Sequence, residues 1–596
     1  MLLLPAGAAV FLFQICCANL LSWSDLALLC ADLYTAQRDI SNNDTIDQLT
    51  FFGVSLNRVV FDIEGYSNTS LSTVKSYLDM KYSLFMVDLY WNHFTQNWQL
   101  CPAPIPANET IDLSKTVEVL WNNETYNCMP GFSVTDLFQQ VNSYLFETNV
   151  RLEANVVQFA FNLRSIYHEV MDTTPSNSTL NITNTAGTSH DLVPAPYRSY
   201  SLDYLSVGSS TLKDSLSAVK SYIFSPLDLQ LWDLRQSPSG DSVRYPTQDA
   251  YLFSLYKRVF PFVLSNTLHN SSTGYNISSS DTDTIFFPDE YYFLPWVETL
   301  ENGLLAQNIS DTLENSQPSD FCNWGRESHF RFVVDDEMTP FTNQTVNAYL
   351  ESGFSAILNS SNVSAMEADA QEKTLQIANS YTPVSFWSWA SDQFYDSKTY
   401  NETNSDQKYY QNDDVWYIRL TSQTAYLCVS ITTDGWAVQN CYDKMRGVCQ
   451  NDSDPYSWEL TSEIKTYIDW LDEDEICPEG FSAGIPHLSL EQFSLRSVLV
   501  SKNVLHPVWI DLNDITVSGC YVLGGPYALC PYQEVLSTRN FVKSLAPSSV
   551  IALFFIFLIF CERILIKTPI HTNRKRYWKR KIADYYKDND YEGVPL

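Results

Sequence analysis

Asp88 and His93 are two side chains in this sequence that could carry acid–base chemistry, and they lie just after the apolar run at residues 84–87. A buried strand that ends at a carboxylate and opens into a loop is how an α/β barrel presents its active site. Asp88 would then be a metal ligand or an electrostatic residue, and His93 a general base. The alternatives are that Asp88 holds the loop by hydrogen bonds and that His93 is a solvated loop residue. For His93 we favour the solvated position, because no partner is identifiable.

A second group of acids, Asp335, Asp336 and Glu337, follows the last predicted strand of the same barrel. These oxygens could form a calcium site, although a solvated loop is the favoured interpretation. The sequence contains no zincin helix, phosphate-binding glycine loop, nucleophile elbow, dinucleotide fingerprint or C-x-x-C pair. We therefore predict no cofactor and no metal.

Alternating strand and helix patterns predict an α/β TIM-like barrel over residues 36–372. The predicted strands are 45–55, 84–88, 157–163, 258–266, 284–289 and 329–337, and a helix-like segment, 347–358, closes the barrel. Ser133 is predicted to cap a helix that carries an apolar stripe. The loop of roughly forty residues after Asp88 is long for a strand-to-helix connection, which suggests a function for it.

After residue 375 the texture changes to clustered tryptophans, dense cysteines and short strand-like runs. We predict two related disulfide-rich α+β modules, at 375–450 and 451–535. Ten cysteines would remain in an oxidising compartment, a number that permits five disulfides. The disulfide candidates are Cys101, Cys128, Cys428, Cys441, Cys449, Cys477, Cys520 and Cys530, and a bridge between the first two would close the long loop.

Both ends of the chain carry membrane-targeting signals. Residues 1–18 resemble a signal peptide that is cleaved after Ala18; cleavage after Ala31 and an uncleaved anchor are the alternatives. Residues 544–561 carry no charge and are followed by a basic tail, so we predict a transmembrane helix at 545–566 and a cytosolic tail at 567–596. The expected topology is type I and single-pass, with the body in the lumen of the secretory pathway or vacuole, or at the cell surface.

The predicted lumenal body carries many acceptor sites for N-glycosylation. They are Asn43, Asn68, Asn108, Asn123, Asn177, Asn181, Asn270, Asn276, Asn308, Asn343, Asn359, Asn362, Asn401 and Asn451. The formal net charge is −33, and the acidic excess lies before the tail. Such a body repels nucleic acid, so we expect no direct contact with it. The expected partners are the membrane and a glycan or protein ligand.

The opening of the barrel resembles phosphatidylinositol phospholipase C-like barrels. The resemblance rests on TFFGVSLNRVVF, on LFMVDLYWN and on the helix and strand at 133–163. It implies a general-base histidine where Ser55 or Leu56 stands, and a second histidine where Cys128-Met129-Pro130 stands. Asp88 matches the family's carboxylate. The loss of both acid–base partners predicts a barrel without phosphodiesterase activity.

The C-terminal region resembles degenerate C-type lectin-like domains. Cys428-Val429, Asp434-Gly435-Trp436, Cys441 and Val448-Cys449-Gln450 match that fold's closing signature, and Trp509-Ile510-Asp511-Leu512 is similar to its central motif. Ala437-Val438 stands where the calcium-binding Asn-Asp would be, so the resemblance does not imply calcium-dependent sugar binding.

Taken whole, the sequence resembles the fungal maintenance of telomere capping protein 6 family. AQRDI, TIDQLT, WQLCPAPIPAN and GCYVLGGPYALCPY carry this resemblance, from about residue 36 to the tail. The family name implies a link to telomere capping, which we expect to be indirect for a lumenal protein. The predicted function is non-catalytic binding or scaffolding. The alternative is a lumenal phosphodiesterase or glycan hydrolase that uses Asp88 and His93.

Overall fold

The computed structural model describes most of the chain, with gaps. The described residues are 20–92, 97–103, 114–121, 124–165, 180–184, 189–192, 212–236, 244–264, 285–287, 289–294, 309, 311–312, 315–337, 339–360, 369–391, 393, 425–472, 476–532, 538–565 and 572–588. Residues 1–530 form one compact unit and residues 531–596 a second. The predicted signal peptide and the site after Ala18 lie outside the described residues.

Seventeen strands are numbered in chain order within the described residues. They are β1 (Gly53–Ser55), β2 (Leu84–Asn92), β3 (Asn97–Gln99), β4 (Val117–Trp121), β5 (Glu124–Cys128), β6 (Val157–Ser165), β7 (Leu180–Asn184), β8 (Ser189–Leu192), β9 (Val259–Leu264), β10 (Phe332–Val334), β11 (Ser355–Leu358), β12 (Tyr426–Thr432), β13 (Gly435–Asn440), β14 (Val448–Asn451), β15 (Trp458–Leu460), β16 (Phe481–Ala483) and β17 (Val508–Asn513).

The longer helices are numbered in the same way. They are α1 (Trp23–Ile40), α2 (Leu71–Asp79), α3 (Val134–Glu147), α4 (Pro226–Gln236), α5 (Pro318–Glu327), α6 (Asn343–Glu351), α7 (Ala370–Tyr381), α8 (Tyr467–Asp472), α9 (Ser489–Ser501), α10 (Thr538–Leu565) and α11 (Thr572–Asp588). Ser133 caps α3 through the backbone N–H of Asp136, as predicted.

Six parallel strands form the barrel sheet in the order β10-β11-β1-β2-β6-β9, and β3 pairs antiparallel with β2. The short segment around residues 285–294 makes single bridges to both edge strands. Phe287 pairs with Phe262 of β9, and Phe293 pairs with Arg331 next to β10. This segment therefore closes the sheet into a partial TIM barrel, which confirms the predicted fold class at that level.

The two faces of the barrel strands pack against different cores. In β2, Leu84 and Met86 join the interior cluster, whereas Phe85 and Val87 face the surrounding helices. The interior is filled largely by phenylalanine rings, such as Phe260, whose centroid lies 4.2 Å from that of Phe287 and 4.7 Å from that of Phe330. The strand alternation thus sends residues 88 and 162 inward, above this packed layer.

Several predicted barrel elements differ in the structure, among them the strand predicted at 329–337, which is reduced to β10. The strand predicted at 45–55 is reduced to β1, and the strand predicted at 284–289 contributes only the bridge at Phe287. The segment predicted as a helix at 347–358 divides into the end of α6 and the strand β11. Gly353, at a φ of +81°, separates the two, because this left-handed conformation ends the helix.

The cysteine-rich region is built from strands that pair across the boundary predicted at residue 450. β12 pairs with both β13 and β17, and β14 pairs with both β15 and β16. Segments 375–450 and 451–535 therefore both contribute strands to the same sheets.

Four disulfides join all eight candidate cysteines. The pairs are Cys101–Cys128, Cys428–Cys441, Cys449–Cys477 and Cys520–Cys530. A fifth disulfide does not form, because Cys30 is buried within α1 and Cys322 lies unpaired in α5. Since α1 continues through Ala31 and packs into the core, cleavage after Ala31 would remove half of a core helix.

The second unit contains α10 and α11. Along α10, the large apolar side chains from Val550 to Phe560 are exposed. Within the part of the chain that the structure describes, no helix has the length and apolar character to cross a membrane.

Candidate functional site

Asp88, a predicted site residue, lies on the interior face of the barrel in the middle of β2, which continues to Asn92 and does not end at the carboxylate as predicted. Its side chain is only 2% exposed. The paired residue in β6 is Asn162, whose Nδ2 donates a 2.7 Å hydrogen bond to Asp88 Oδ1. Arg164 Nη2 lies 3.6 Å from Asp88 Oδ2. Both carboxylate oxygens are therefore occupied by groups from the neighbouring strand.

Asn57 fixes the backbone of Asp88 from the opposite side. Its Oδ1 accepts a 2.8 Å hydrogen bond from the Asp88 N–H. Its Nδ2 donates to the carbonyl oxygens of Asp88 at 3.1 Å and of Leu100 at 3.3 Å. The side chain of Asn57 thus joins the end of β1 to β2 and to the start of the long loop. No sequence pattern singled out Asn57 as a site residue.

A second polar network lies beside Asp88, on the helical turns after β1. Arg58 Nη1 is 3.2 Å from Asp62 Oδ2, and the Tyr66 hydroxyl donates to Asp62 Oδ1 at 2.7 Å. Burial acts to lower the pKa of Arg58, but attraction to Asp62, Tyr90 and Asp88 outweighs it and raises that pKa. Burial also raises the pKa of Asp62 and of Tyr90. This network holds Arg58 as a cation at the mouth of the barrel.

The positions that resemble the two histidines of the phospholipase C-like barrels hold other groups. Ser55 and Leu56 are fully buried. Cys128 is bonded to Cys101, so its sulfur carries no exchangeable proton. His93, the predicted general base, lies outside the described residues.

Two histidines in the described part lie at the amino-terminal end of the barrel strands, away from Asp88. His329 precedes β10, and its Nδ1 is 2.6 Å from Asp47 Oδ2. His487 contacts the segment before β1, with its Nδ1 2.9 Å from the Ile40 carbonyl oxygen. Through Asp47 and Ile40, these two histidines hold the segment that precedes β1.

Asp335 is buried rather than solvated, so the favoured interpretation of that acidic cluster is wrong for this residue. Its carboxylate accepts hydrogen bonds from the backbone N–H groups of Phe341, at 2.9 Å, and of Asn359 and Ser360. Burial raises its pKa to about 6. Asp336 accepts from the backbone N–H of Thr339 at 2.8 Å. Asp335 therefore fastens the loop after β11, and these contacts leave it poorly placed as a calcium ligand.

Two observations bear on the binding of a metal ion and of a glycan. Within the described residues, no three His, Cys, Asp or Glu side chains are grouped so as to hold a metal ion. Trp436 is fully buried, with its ring 5.7 Å from that of Trp387 and 5.6 Å from that of Trp389. This tryptophan therefore belongs to the core and presents no face to a glycan.

The described glycosylation candidates differ in exposure. Asn43, Asn68 and Asn343 are exposed, whereas Asn359 and Asn451 are half-buried. The side chains of the other candidates lie outside the described residues.

Comparisons with known proteins agree with this architecture. A family model described as "MTC6 partial TIM-barrel domain" matches residues 31–376. The protein named maintenance of telomere capping protein 6 from Candida albicans (strain WO-1) is 37% identical over 598 residues, which covers 94% of each chain. Its namesake from Debaryomyces hansenii is 34% identical over 609 residues, covering 98% of this chain and 97% of the relative.

Among solved structures, the chain is similar to an apo calcium-dependent phosphoinositol-specific phospholipase C from Pseudomonas sp. The TM-score is 0.27 at 12% identity, over 55% of this chain and 94% of the other. The family model spans more than half of the sequence, and the curated relatives match nearly all of it. The chain therefore belongs to the maintenance of telomere capping protein 6 family.

Proposed function

We propose that this chain is a type I membrane glycoprotein whose barrel and lectin-like region bind or scaffold a glycan or protein and do not catalyse a reaction. The observation that carries the proposal is that the Asp88 carboxylate already contacts side chains of the protein. A catalytic carboxylate must reach the substrate or exchange a proton with it. Asp88 is instead buried, with one oxygen bonded to Asn162 and the other facing Arg164.

The surroundings of Asp88 support the same conclusion. Leu56 stands at one of the two positions where the family resemblance places the general-base histidine, and it is fully buried and apolar. Cys128, at the position of the second histidine, is held in a disulfide. The phospholipase C-like resemblance therefore extends to the scaffold and not to the proton relay. In this proposal a ligand binds at the mouth of the barrel and contacts the partly exposed side chains of Arg58 and Arg164.

An assay for hydrolysis tests this proposal. Purified full-length protein would be incubated with phosphatidylinositol and with glycosylated analogues, beside Asp88→Asn, His93→Ala and the surface control Asp79→Asn. We expect no hydrolysis above background from any of them. The competing function is a lumenal phosphodiesterase or glycan hydrolase, favoured by the position of Asp88 in a parallel strand of the barrel, beyond the end of β1. Turnover that Asp88→Asn abolishes and Asp79→Asn retains would establish that competing function.

The membrane topology in this proposal is supported by the uncharged stretch at 544–561, by the basic residues after it and by the exposed apolar side chains of α10. Three exposed acceptor sites, Asn43, Asn68 and Asn343, support translocation of the body. Treatment of the full chain with a glycosidase should increase its electrophoretic mobility, and the shift should decrease when these three residues are changed to Gln. A chain whose mobility does not change after treatment would contradict the lumenal placement.

The link to telomeres enters through the names of the relatives. We propose that it is indirect, because a chain with a formal net charge of −33 repels nucleic acid. Imaging of the tagged protein should place it on secretory or vacuolar membranes or at the cell surface. Exclusive co-localisation with telomeric chromatin would overturn this part of the proposal.

A further inference from the structure

The helix α11, at Thr572–Asp588, has one face of apolar side chains. Trp578, Ile582 and Tyr585 lie four and three residues apart, so they follow one another along one side of the helix. The exposed fractions of these three residues are 57%, 51% and 63%. Tyr586 extends the same face and is 70% exposed. Within the part of the chain that the structure describes, this apolar face is therefore left open.

The same helix is strongly basic. Six of the eight residues from 574 to 581 are Lys or Arg, and the helix contains only two acids, Asp584 and Asp588. The rest of the chain is acidic, since the formal net charge of the whole is −33. α11 therefore concentrates positive charge in a protein that is otherwise negative.

The basic side chains surround the apolar face. The helical repeat places Lys575 and Lys581 about 60° to either side of Trp578. It places Arg576 and Arg580 about 160° from Trp578, on the opposite side of the helix. Lysine stems beside an apolar face can cover part of it while the ammonium groups stay at its rim. The helix is thus both amphipathic and cationic.

The positive charge by itself has a simpler explanation, because cations after an uncharged stretch orient a membrane protein. That role needs no particular arrangement of apolar residues. A tail that served only for its charge would leave Trp578, Ile582 and Tyr585 in water, which is unfavourable for large apolar groups. The alignment of these three side chains on one face therefore indicates a surface that buries them.

An anionic lipid bilayer matches both faces of α11. Helices with a basic polar face and an aromatic or aliphatic face lie in the plane of a membrane surface, with the apolar face at the boundary of headgroups and acyl chains. Clusters of Lys and Arg on such a helix are attracted to anionic headgroups. A nucleic acid would engage the cations alone and leave Trp578 and Ile582 in water. The observations therefore favour lipid over nucleic acid.

We infer that α11 lies on the surface of an anionic bilayer, with Trp578, Ile582 and Tyr585 in the lipid interface and the surrounding lysines and arginines at the headgroups. This inference goes beyond the function proposed above, because it rests on the two faces of α11 and not on whether α10 crosses the membrane. Only the choice of leaflet rests on the proposed topology, in which the tail is in the cytosol, the side on which anionic lipids are concentrated.

Photocrosslinking compares the two sides of the helix. Full-length protein would carry p-benzoylphenylalanine in place of Trp578, or in place of Ala583, which is uncharged and lies about 140° from Trp578. A third protein, with the probe in place of Phe555, reports on α10. Each would be reconstituted into vesicles of phosphatidylcholine, with or without phosphatidylserine, and lipid adducts would be measured by mass spectrometry after irradiation.

With phosphatidylserine present, we expect several-fold more lipid adduct at position 578 than at position 583. In pure phosphatidylcholine the adduct at position 578 should fall several-fold. Equal adducts at positions 578 and 583 would overturn the inference, since charge alone would then hold the helix. Equal adducts at position 578 in the two kinds of vesicle would overturn it as well, and so would a protein crosslink at position 578 in place of the lipid adduct.

A charge variant tests the lysines beside the apolar face. Lys575→Gln with Lys581→Gln should lower the adduct at position 578 several-fold, whereas Lys220→Gln with Lys502→Gln, at two exposed lysines of the first unit, should leave it unchanged. Equal effects of the two pairs would overturn the electrostatic contact. The adduct at position 555 tests the anchor separately: its absence, with the adduct at position 578 retained, would overturn the proposed span and support the contact made by α11.

Discussion

Asn57 pairs with both backbone polar groups of Asp88, accepting from its N–H at 2.8 Å and donating to its carbonyl at 3.1 Å. The register between β1 and β2 ends at the pair Ser55 and Met86. Beyond that point this edge of β2 has no strand beside it until Tyr90, where the pairing with β3 begins. The amide of Asn57 offers the same donor and acceptor as a peptide group and so extends the ladder.

Asn57→Ala should destabilise the protein by about 1–3 kcal/mol, because it leaves a buried N–H and a buried carbonyl of β2 unpaired. Thermal unfolding of the full chain checks this value. Asn149→Ala is the matched control, since Asn149 is exposed and should change stability by less than about 0.5 kcal/mol. Equal melting temperatures for the two variants would contradict the structural role of Asn57.

Asp88→Ala should cost about 1–3 kcal/mol for a similar reason, since Asn162 loses a buried acceptor and Arg164 loses its counter-charge. Asp88→Asn should cost less, because its amide oxygen can still accept from Asn162. The comparison is made by thermal unfolding. Asp79→Ala, at an exposed ion pair with Lys75, serves as the reference for loss of a surface carboxylate. An Asp88→Ala variant as stable as the wild type would show that the carboxylate is not held for structural reasons.

The double substitution Cys101→Ser and Cys128→Ser should lower stability by on the order of 3 kcal/mol, because the open loop gains entropy in the unfolded chain. Cys322→Ser removes an unpaired thiol in the same protein and is the control. The expected difference in melting temperature should disappear when both proteins are measured under reducing conditions. If the difference in melting temperature persisted under reducing conditions, altered packing and not the loss of the crosslink would be its cause.

Stability should fall as the pH rises towards 8, because two neighbouring carboxyl groups have raised pKa values in the folded state. Burial and the neighbouring Asp44 raise the pKa of Glu491 from 4.5 to about 8, and burial raises that of Asp44 from 3.8 to about 7. A carboxylate with a raised pKa in the folded state contributes stability that is complete below its unfolded value and is lost as the pH rises through its folded value. His487, which donates its backbone N–H to Glu491 at 2.8 Å, has a pKa lowered by burial and acts in the opposite sense at acid pH.

Melting temperatures between about pH 7 and pH 9 check this prediction, in a range where His487 is neutral in either state. The wild type should lose on the order of 1 kcal/mol per pH unit in this range, and Glu491→Gln should flatten the dependence. The glutamine keeps an oxygen that can accept from the His487 N–H. An unchanged slope in Glu491→Gln would exclude this pair as the cause.

Sequence patterns predicted the elements whose formation depends on residues that are close together in the chain. The apolar run at the start of β2, the alternation in β6 and the apolar stripe of α3 predicted those elements, because each pattern reflects which side chains are buried. The inward position of Asp88 also follows from the period of two along β2. The sequence predicted the eight disulfide cysteines and the bridge between Cys101 and Cys128, which the structure confirms. It did not predict how the other six cysteines pair.

The sequence by itself thus determined the alternating barrel pattern, the acidic charge, the cysteine set and the place of Asp88 in a barrel strand, although that strand continues to Asn92. Only the tertiary structure decided that residues 355–358 form a strand, since their apolar run suits a helix equally well until β1 and β10 flank it. It also decided that Asn57, Asn162 and Arg164 surround Asp88. Asn57 lies in the helical turn after β1, and Asn162 and Arg164 lie in β6. Contacts between positions so far apart in the sequence leave no periodic trace in the chain.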